Sequence, residues 1–259
     1  MNEIKLGEVN LNTFGTPMKI IEYKNSKNVI IEFQDEYKFK KKCEYKSFKK
    51  GTIKNPYDKE NYGVGYFGVG KYKARENGKI TKVYDVWTKM LQRCYDPYYM
   101  NKYPTYIDCY VCKEWHNFQV FAEWYKKEIY ECNGERIELD KDILCKGNKI
   151  YSPETCVFVP QRINSLFVKS NSKRGKLPIG TSIYKNEKIR CYCNCYCENE
   201  KKFKSYHLGY FPLNKPFQAF TCYKNFKENH IKQVADEYKD LIPKKLYEAL
   251  YRYEVEIND

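Results

Sequence analysis

Histidine is scarce in this chain of 259 residues: there are three, His116, His207 and His230. No run of about 18 apolar residues occurs, which excludes a bilayer-spanning helix of the usual length. The segment Met1–Asn12 holds Glu3 and Glu8 and lacks an apolar core, so no secretory leader is expected. Acidic residues are outnumbered, 33 Asp and Glu against 47 Lys and Arg, which leaves a net charge of +14. A chain without a leader, and too long for a small disulfide scaffold, is expected to keep its 12 cysteines reduced in a cytoplasm. Cys109-Tyr110-Val111-Cys112 has metal-knuckle spacing, but no second such pair follows, and Cys132, Cys145 and Cys156 are scattered singles. Buried free thiols are therefore expected there, and structural zinc is not.

What is abundant points in one direction. A surplus of Lys and Arg suits a polyanionic partner, since each neutralised phosphate releases a condensed counterion. The same charge also suits ribosome-like or membrane-surface proteins. The 27 tyrosines narrow the choice, because rings interleaved with lysines offer stacking faces beside phosphate-seeking charge. The Gly63–Gly70 stretch matches neither the Rossmann nor the Walker spacing, and no Gly-Lys-Ser/Thr follows it. It reads as a turn between short strands.

Hydrophobic patterning divides the chain into three parts, 1–58, 59–168 and 177–259, and predicts an α+β fold. In the first, Lys19–Tyr23 and Asn28–Phe33 flank the turn signal Lys24-Asn25-Ser26-Lys27, and Val29, Ile31 and Phe33 share a face. This predicts a small N-terminal β-module, compact and barrel-like. In the second, Val83, Val86, Trp87, Met90, Leu91 and Cys94 fall at helical spacing and stop at Asp96-Pro97. A second stripe joins Trp115, Phe118, Phe121, Ala122, Tyr125 and Ile129. After a basic linker containing Arg174 and Lys176, the third part reads as three strands and a long helix from about Lys215 to Leu241. A shorter helix, Pro243 to Tyr253, closes it.

The string most suggestive of chemistry is Glu138-Leu139-Asp140-Lys141-Asp142-Ile143-Leu144, continued by Gly147-Asn148-Lys149-Ile150-Tyr151-Ser152-Pro153-Glu154-Thr155-Cys156-Val157-Phe158-Val159-Pro160 and ending at Asn164. With the upstream Trp87, Met90, Arg93-Cys94-Tyr95, Val111–Trp115, Phe118 and Phe121, it resembles the HNH (ββα-metal) homing endonucleases of phage genomes. The resemblance covers about Tyr84 to Phe167. It implies a ββα-metal central domain that cleaves or nicks double-stranded DNA with a divalent ion, Mg²⁺ above all. The general-base histidine of that family is missing here. The strand offers Glu138, Asp140 and Asp142 instead, Thr155 stands near the expected loop Asn, and Asn164 fits the last metal position. Asp140, Asp142 and Asn164 are the candidate catalytic residues, with Asp140 and Asn164 as metal ligands. The alternative is that Asp140 and Asp142 brace the turn while the fold only holds DNA.

The C-terminal part carries a second resemblance. Leu177–Ile183, Lys188–Tyr192, Tyr206–Phe211 and a helix with Ala219 are similar to the APETALA2-type DNA-binding module. That implies a three-stranded sheet backed by a helix, with its free face to the DNA major groove. Alternation supports the same split independently: Ile189, Cys191, Cys193, Cys195 and Cys197 point one way, Arg190, Tyr192, Asn194 and Tyr196 the other. The thiol face is assigned to the helix and the Arg/Tyr/Asn face to DNA. A tetrathiolate metal site is the rival, but sulfurs on one straight strand would stand about 7 Å apart. Lys201, Lys202 and Lys204 in the next turn, with Arg174 and Lys176 of the linker, are expected to reach the backbone. Two other functions stay open: a catalytically inactive DNA-binding regulator, and a phage-encoded inhibitor of a host defence protein or its RNA. In each case the expected setting is the host-cell cytoplasm without a membrane partner.

Overall fold

The computed structural model describes residues 5–168, 177–185, 187–197, 202–257 and 259. Arg174 and Lys176 of the linker, and Lys201, lie outside the described residues. The fold is α+β, and the chain divides into two compact units: Met1–Lys127 with Lys149–Ser152, and Glu128–Asn148 with Pro153–Asp259. Among the described residues no helix is long and apolar enough to cross a membrane.

The first unit opens with an antiparallel sheet of β1 (Val9–Leu11), β2 (Pro17–Asn25), β3 (Asn28–Phe33) and β4 (Lys40–Cys43), in that order. Asn25 and Asn28 close the β2–β3 hairpin, as the turn signal requires. Val29, Ile31 and Phe33 are buried with Met18 and Ile20 against Phe48 of α1 (Tyr45–Lys49). β1 and β4 are the sheet's edges, so it is open where the sequence suggests a barrel. Closing a barrel needs tilted strands whose edges meet, and a four-stranded meander has too few to curl that far.

A β5–β6 hairpin (Arg75–Glu76 and Lys79–Ile80) leads into α2 (Lys82–Tyr95). Thr81 caps α2 through its side chain, which accepts from the Tyr84 N–H. Asp96 ends α2 and caps α3 (Pro97–Lys102), accepting from the N–H groups of Tyr98 and Tyr99. Trp87, Met90, Leu91 and Cys94 are buried, and the Trp87 indole donates to the Trp115 carbonyl at 2.7 Å. Trp115 sits in a 3-10 turn, Lys113–His116, and α4 begins only at Phe118 (Phe118–Glu128). The predicted stripe is buried from Trp115 to Tyr125 although it spans two elements, while Ile129 lies beyond α4 and is half-buried. The Gly63–Gly70 stretch makes two isolated bridges, Asn61 to Gly65 and Tyr66 to Asn117, rather than strands. β7 (Tyr110–Val111) pairs in parallel with β9 (Ile150–Tyr151).

The second unit holds an antiparallel pair, β8 (Ile137–Asp140) with β10 (Val157–Pro160), followed by α5 (Gln161–Ser165). The three-stranded sheet of β11 (Thr181–Tyr184), β12 (Lys188–Cys197) and β13 (Lys202–Pro212) is antiparallel, with β12 in the middle. Against it lies α6 (Pro216–Glu237), and α7 (Lys244–Arg252) follows. The core here is Ile189, Cys191, Cys193 and Cys195 under Ala219, Phe220 and Tyr223. The long helix stops at Glu237 rather than near Leu241, and Ile242 is buried where Leu241 was expected. The cap residue Tyr238 explains the stop: its hydroxyl is bonded to Glu135 and its ring receives the Arg162 guanidinium at 5.6 Å.

Gly180 sets how closely sheet and helix approach. Its φ of +77° is one that L side chains rarely adopt, and a methyl there would run into the Tyr223 ring. Gly180→Ala is therefore expected to destabilise the protein by roughly 3 kcal/mol, through overpacking and backbone strain. Urea unfolding of the two proteins measures it, and equal midpoints would contradict this packing.

Candidate nucleic-acid interface

β12 has one side chain in two beneath α6, so the others form an open face. Arg190, Tyr192 and Tyr196 are half-buried there and Asn194 is exposed. Register adds their neighbours: Ser182 and Tyr210 flank Arg190, His207 is across from Tyr192, Ser205 from Asn194, and Phe203 from Tyr196. Rings run along this face. The Tyr184 and Tyr210 centroids lie 4.9 Å apart, those of His207 and Tyr210 4.5 Å, and those of Tyr196 and Phe203 5.5 Å. The Arg190 guanidinium carbon stands 5.1 Å from the Tyr192 ring centroid. Arg190 Nε is sealed from solvent and has no hydrogen-bond partner among the described residues. A donor held in that state carries an uncompensated desolvation cost.

His207, Tyr210, Tyr184 and Phe203 are the residues that sequence reasoning did not select. Cys191 pairs with Gly209 but Tyr192 with His207, which leaves Leu208 as the extra residue of a bulge. Gly209, at φ +148°, absorbs the distortion. His207 and Tyr210 consequently share a face although three positions apart, which a period of two does not anticipate. Strand alternation before the bulge would have found Phe203.

Lys202 and Lys204 require a correction. They belong to β13 rather than to a turn, paired across from Cys197 and Cys195. That puts them on the parity of the thiol face, opposite the Arg/Tyr/Asn face. The reason is again alternation: Lys202, Lys204 and Tyr206 take one side, and the Tyr206 ring lies 5.9 Å from Phe226 of α6. The thiol spacing also differs from the straight-strand expectation. Cys193 and Cys195 lean together to an Sγ–Sγ distance of 3.5 Å, and Cys191 donates to the Ala219 carbonyl at 3.3 Å. Their mutual hydrogen bond lowers the Cys193 pKa and raises that of Cys195.

In the ββα segment the sequence-selected acids are drawn into the backbone. Asp140 Oδ1 accepts from the N–H groups of Asp142 and Ile143, at 2.9 and 2.8 Å. Lys141, buried, donates to Asp142 Oδ2 at 3.0 Å and to the Asn148 carbonyl at 2.9 Å, while Asn148 Nδ2 donates to the Lys141 carbonyl at 2.7 Å. These bonds clamp the loop after β8. Asn164 on α5 donates to Glu138 Oε2 at 2.6 Å, and Arg136 pairs with the other oxygen at 3.2 Å. Burial, with Asp142's charge, pushes the Asp140 carboxyl up to about 6. None of the hydrogen bonds to Asp140, Asp142 or Asn164 comes from a histidine among the described residues.

No family model, curated protein or solved structure matches the chain. A Mg²⁺ ion wants near-octahedral oxygens converging on one point. Asp140 Oδ1 is turned to its loop, Asp142 Oδ2 to Lys141 and Asn164 Nδ2 to Glu138, so those bonds leave Asp140 Oδ2, Asp142 Oδ1 and Asn164 Oδ1 as the oxygens that would face an ion. Among the described residues no three His, Cys, Asp or Glu side chains form a group able to hold a metal.

The raised Asp140 pKa has a consequence for stability. The folded chain binds this proton more tightly than the unfolded one, whose value is near 3.8, so stability falls as pH rises from about 4 to about 6. Asn at position 140 can still accept both backbone bonds. Thermal melts of Asp140→Asn across that window are expected to show a flatter pH dependence than the parent chain; parallel curves would refute it.

Proposed function

We propose that this chain is a cytoplasmic DNA-binding protein that lays the open face of β11–β13 against double-stranded DNA. The observation that carries the reading is Arg190: a guanidinium over the Tyr192 ring, in the middle of a face lined by aromatic rings, Asn194 and the hydroxyls of Ser182 and Ser205. Arg pairs with guanine edges, Asn with adenine, and Tyr stacks or reaches phosphate. The net charge of +14 supplies the long-range attraction to a polyanion.

For the ββα segment, holding is the better-supported role than cutting. Lys141 stands in the loop beside Asp140, and an ammonium has three donors and no acceptor with which to take a proton from water. Its two bonds and the Asp140 turn are those of a brace. Cleavage or nicking, as the phage HNH resemblance implies, is the second reading. It is favoured by one observation, the hydrogen bond that joins a strand acid, Glu138, to a helix amide, Asn164.

Gel shifts on short duplexes test the binding. Arg190→Ala and Tyr192→Ala are each expected to weaken affinity roughly tenfold, with the parent affinity falling steeply as salt rises. Unchanged affinity in both variants would remove the sheet face from the interface, and a shallow salt dependence would favour a protein partner. Supercoiled plasmid incubated with Mg²⁺, Mn²⁺ or EDTA is expected to stay intact. Metal-dependent nicking that Asp140→Ala abolishes would overturn the holding role in favour of cleavage.

A further inference from the structure

Arg93 lies on α2, in the first unit. It borders the buried stripe of Trp87, Met90, Leu91 and Cys94 and is half-buried itself. Its Nη1 donates to the Tyr151 hydroxyl at 3.5 Å, and its guanidinium carbon stands 5.7 Å from the Tyr106 ring centroid. Tyr151, on β9, is buried, so one wall of this site is fixed by the β7–β9 pairing. Among the described residues no carboxylate pairs with Arg93, and the polar groups beside it are phenols, which carry no charge at neutral pH. Nε and Nη2 have no hydrogen-bond partner among the described residues, and unlike Arg190 Nε neither is sealed from solvent.

The surroundings are basic and aromatic. Pro97 to Ile107 contains no acidic residue and four tyrosines, Tyr98, Tyr99, Tyr103 and Tyr106. Tyr99 lies 4.7 Å from Tyr103 and 5.8 Å from Tyr106, centroid to centroid, and Lys102 Nζ is 5.4 Å from the Tyr103 ring. Lys149 donates to the carbonyls of Thr105 and Ile107 at 3.2 and 3.3 Å, which brings a third cation to the 3-10 turn Pro104–Tyr106. A guanidinium drawn partly out of water without a counter-ion is costly, and ring faces offset only part of that. Its unused donors form a planar fork, the geometry that matches two oxygens of a phosphate.

We propose that Arg93 anchors a phosphate-binding site whose ligand is a backbone phosphate of nucleic acid, with Lys102 and the exposed Tyr103 at its rim. The site rests on the chain being a nucleic-acid binder, and not on the sheet face. It gives the first unit a contact of its own.

The test uses the full chain, a labelled oligonucleotide and, separately, inorganic phosphate against chloride at equal ionic strength. Arg93→Gln is expected to weaken oligonucleotide affinity roughly tenfold, with Arg93→Lys, which keeps charge but loses the fork, falling between. Phosphate is expected to raise the melting temperature of the parent chain and not of Arg93→Gln. An oligonucleotide effect without a phosphate effect also supports the site and confines its ligand to nucleic acid. A folded Arg93→Gln that matches the parent in both measurements overturns it. Should that variant fail to fold, Lys102→Ala and Tyr103→Ala, both at exposed positions, replace it, and undiminished oligonucleotide affinity in both overturns the site. If Arg190→Ala loses affinity and Arg93→Gln does not, the site falls while the DNA reading stands. A chain that ignores oligonucleotides overturns the site together with the DNA reading, even where phosphate stabilises it through Arg93.

Discussion

In β12 every second side chain is small and sulfur-bearing, and those side chains are where α6 rests. Cys191, Cys193 and Cys195 are buried together with Ala219, Phe220 and Tyr223, and the sulfur of Cys191 reaches the Ala219 carbonyl itself. Small residues let the helix come close, and Gly180 lets Tyr223 do so at the edge. Because strand side chains alternate, burying the thiols obliges Arg190, Tyr192, Asn194 and Tyr196 to face away. A slip of one residue would exchange the faces, placing a guanidinium under the helix and thiols in water. The register of this strand thus decides both the core of the second unit and the surface on which its function is argued.

The remaining features of that surface are consequences of one irregularity. The extra residue at Leu208 rotates β13 so that His207 and Tyr210 both join the open face and their rings meet. Without the bulge one of them would lie beneath the helix, and the row from Tyr184 to His207 would be broken. The ββα segment of the same unit is organised differently, by backbone polar groups that need partners. Asp140 Oδ1 serves two N–H groups and the Lys141–Asn148 pair ties both ends of the loop. The first unit's distinctive feature is a cation among tyrosines, where the fork of Arg93 still has donors to offer.

Much of the local order was legible along the chain. Met90, Leu91 and Cys94 announce α2 and Asp96-Pro97 marks its end, because capping and helical periodicity act between residues a few positions apart. The same holds for the β2–β3 hairpin and for the two faces of β12. The misreadings were of extent and parity. Lys202 and Lys204 read as a charged turn, because nothing local distinguishes a solvated turn from the exposed start of a strand whose partner is Cys195 or Cys197. The open N-terminal sheet read as a barrel, because closure depends on which edges meet.

The sequence by itself determined the α+β class, the end of α2 at Asp96-Pro97, and the division of β12 into a thiol side and an Arg/Tyr/Asn side, all of them matters of short-range periodicity and steric preference. Only the tertiary structure decided which strand residues join that face across the sheet, that Asn164 reaches back to Glu138, and that Arg93 meets Tyr106 and Tyr151. Those contacts join residues far apart along the chain. Their geometry follows from packing, from the bulge at Leu208 and from the partners that buried polar groups must find, none of which a linear pattern encodes.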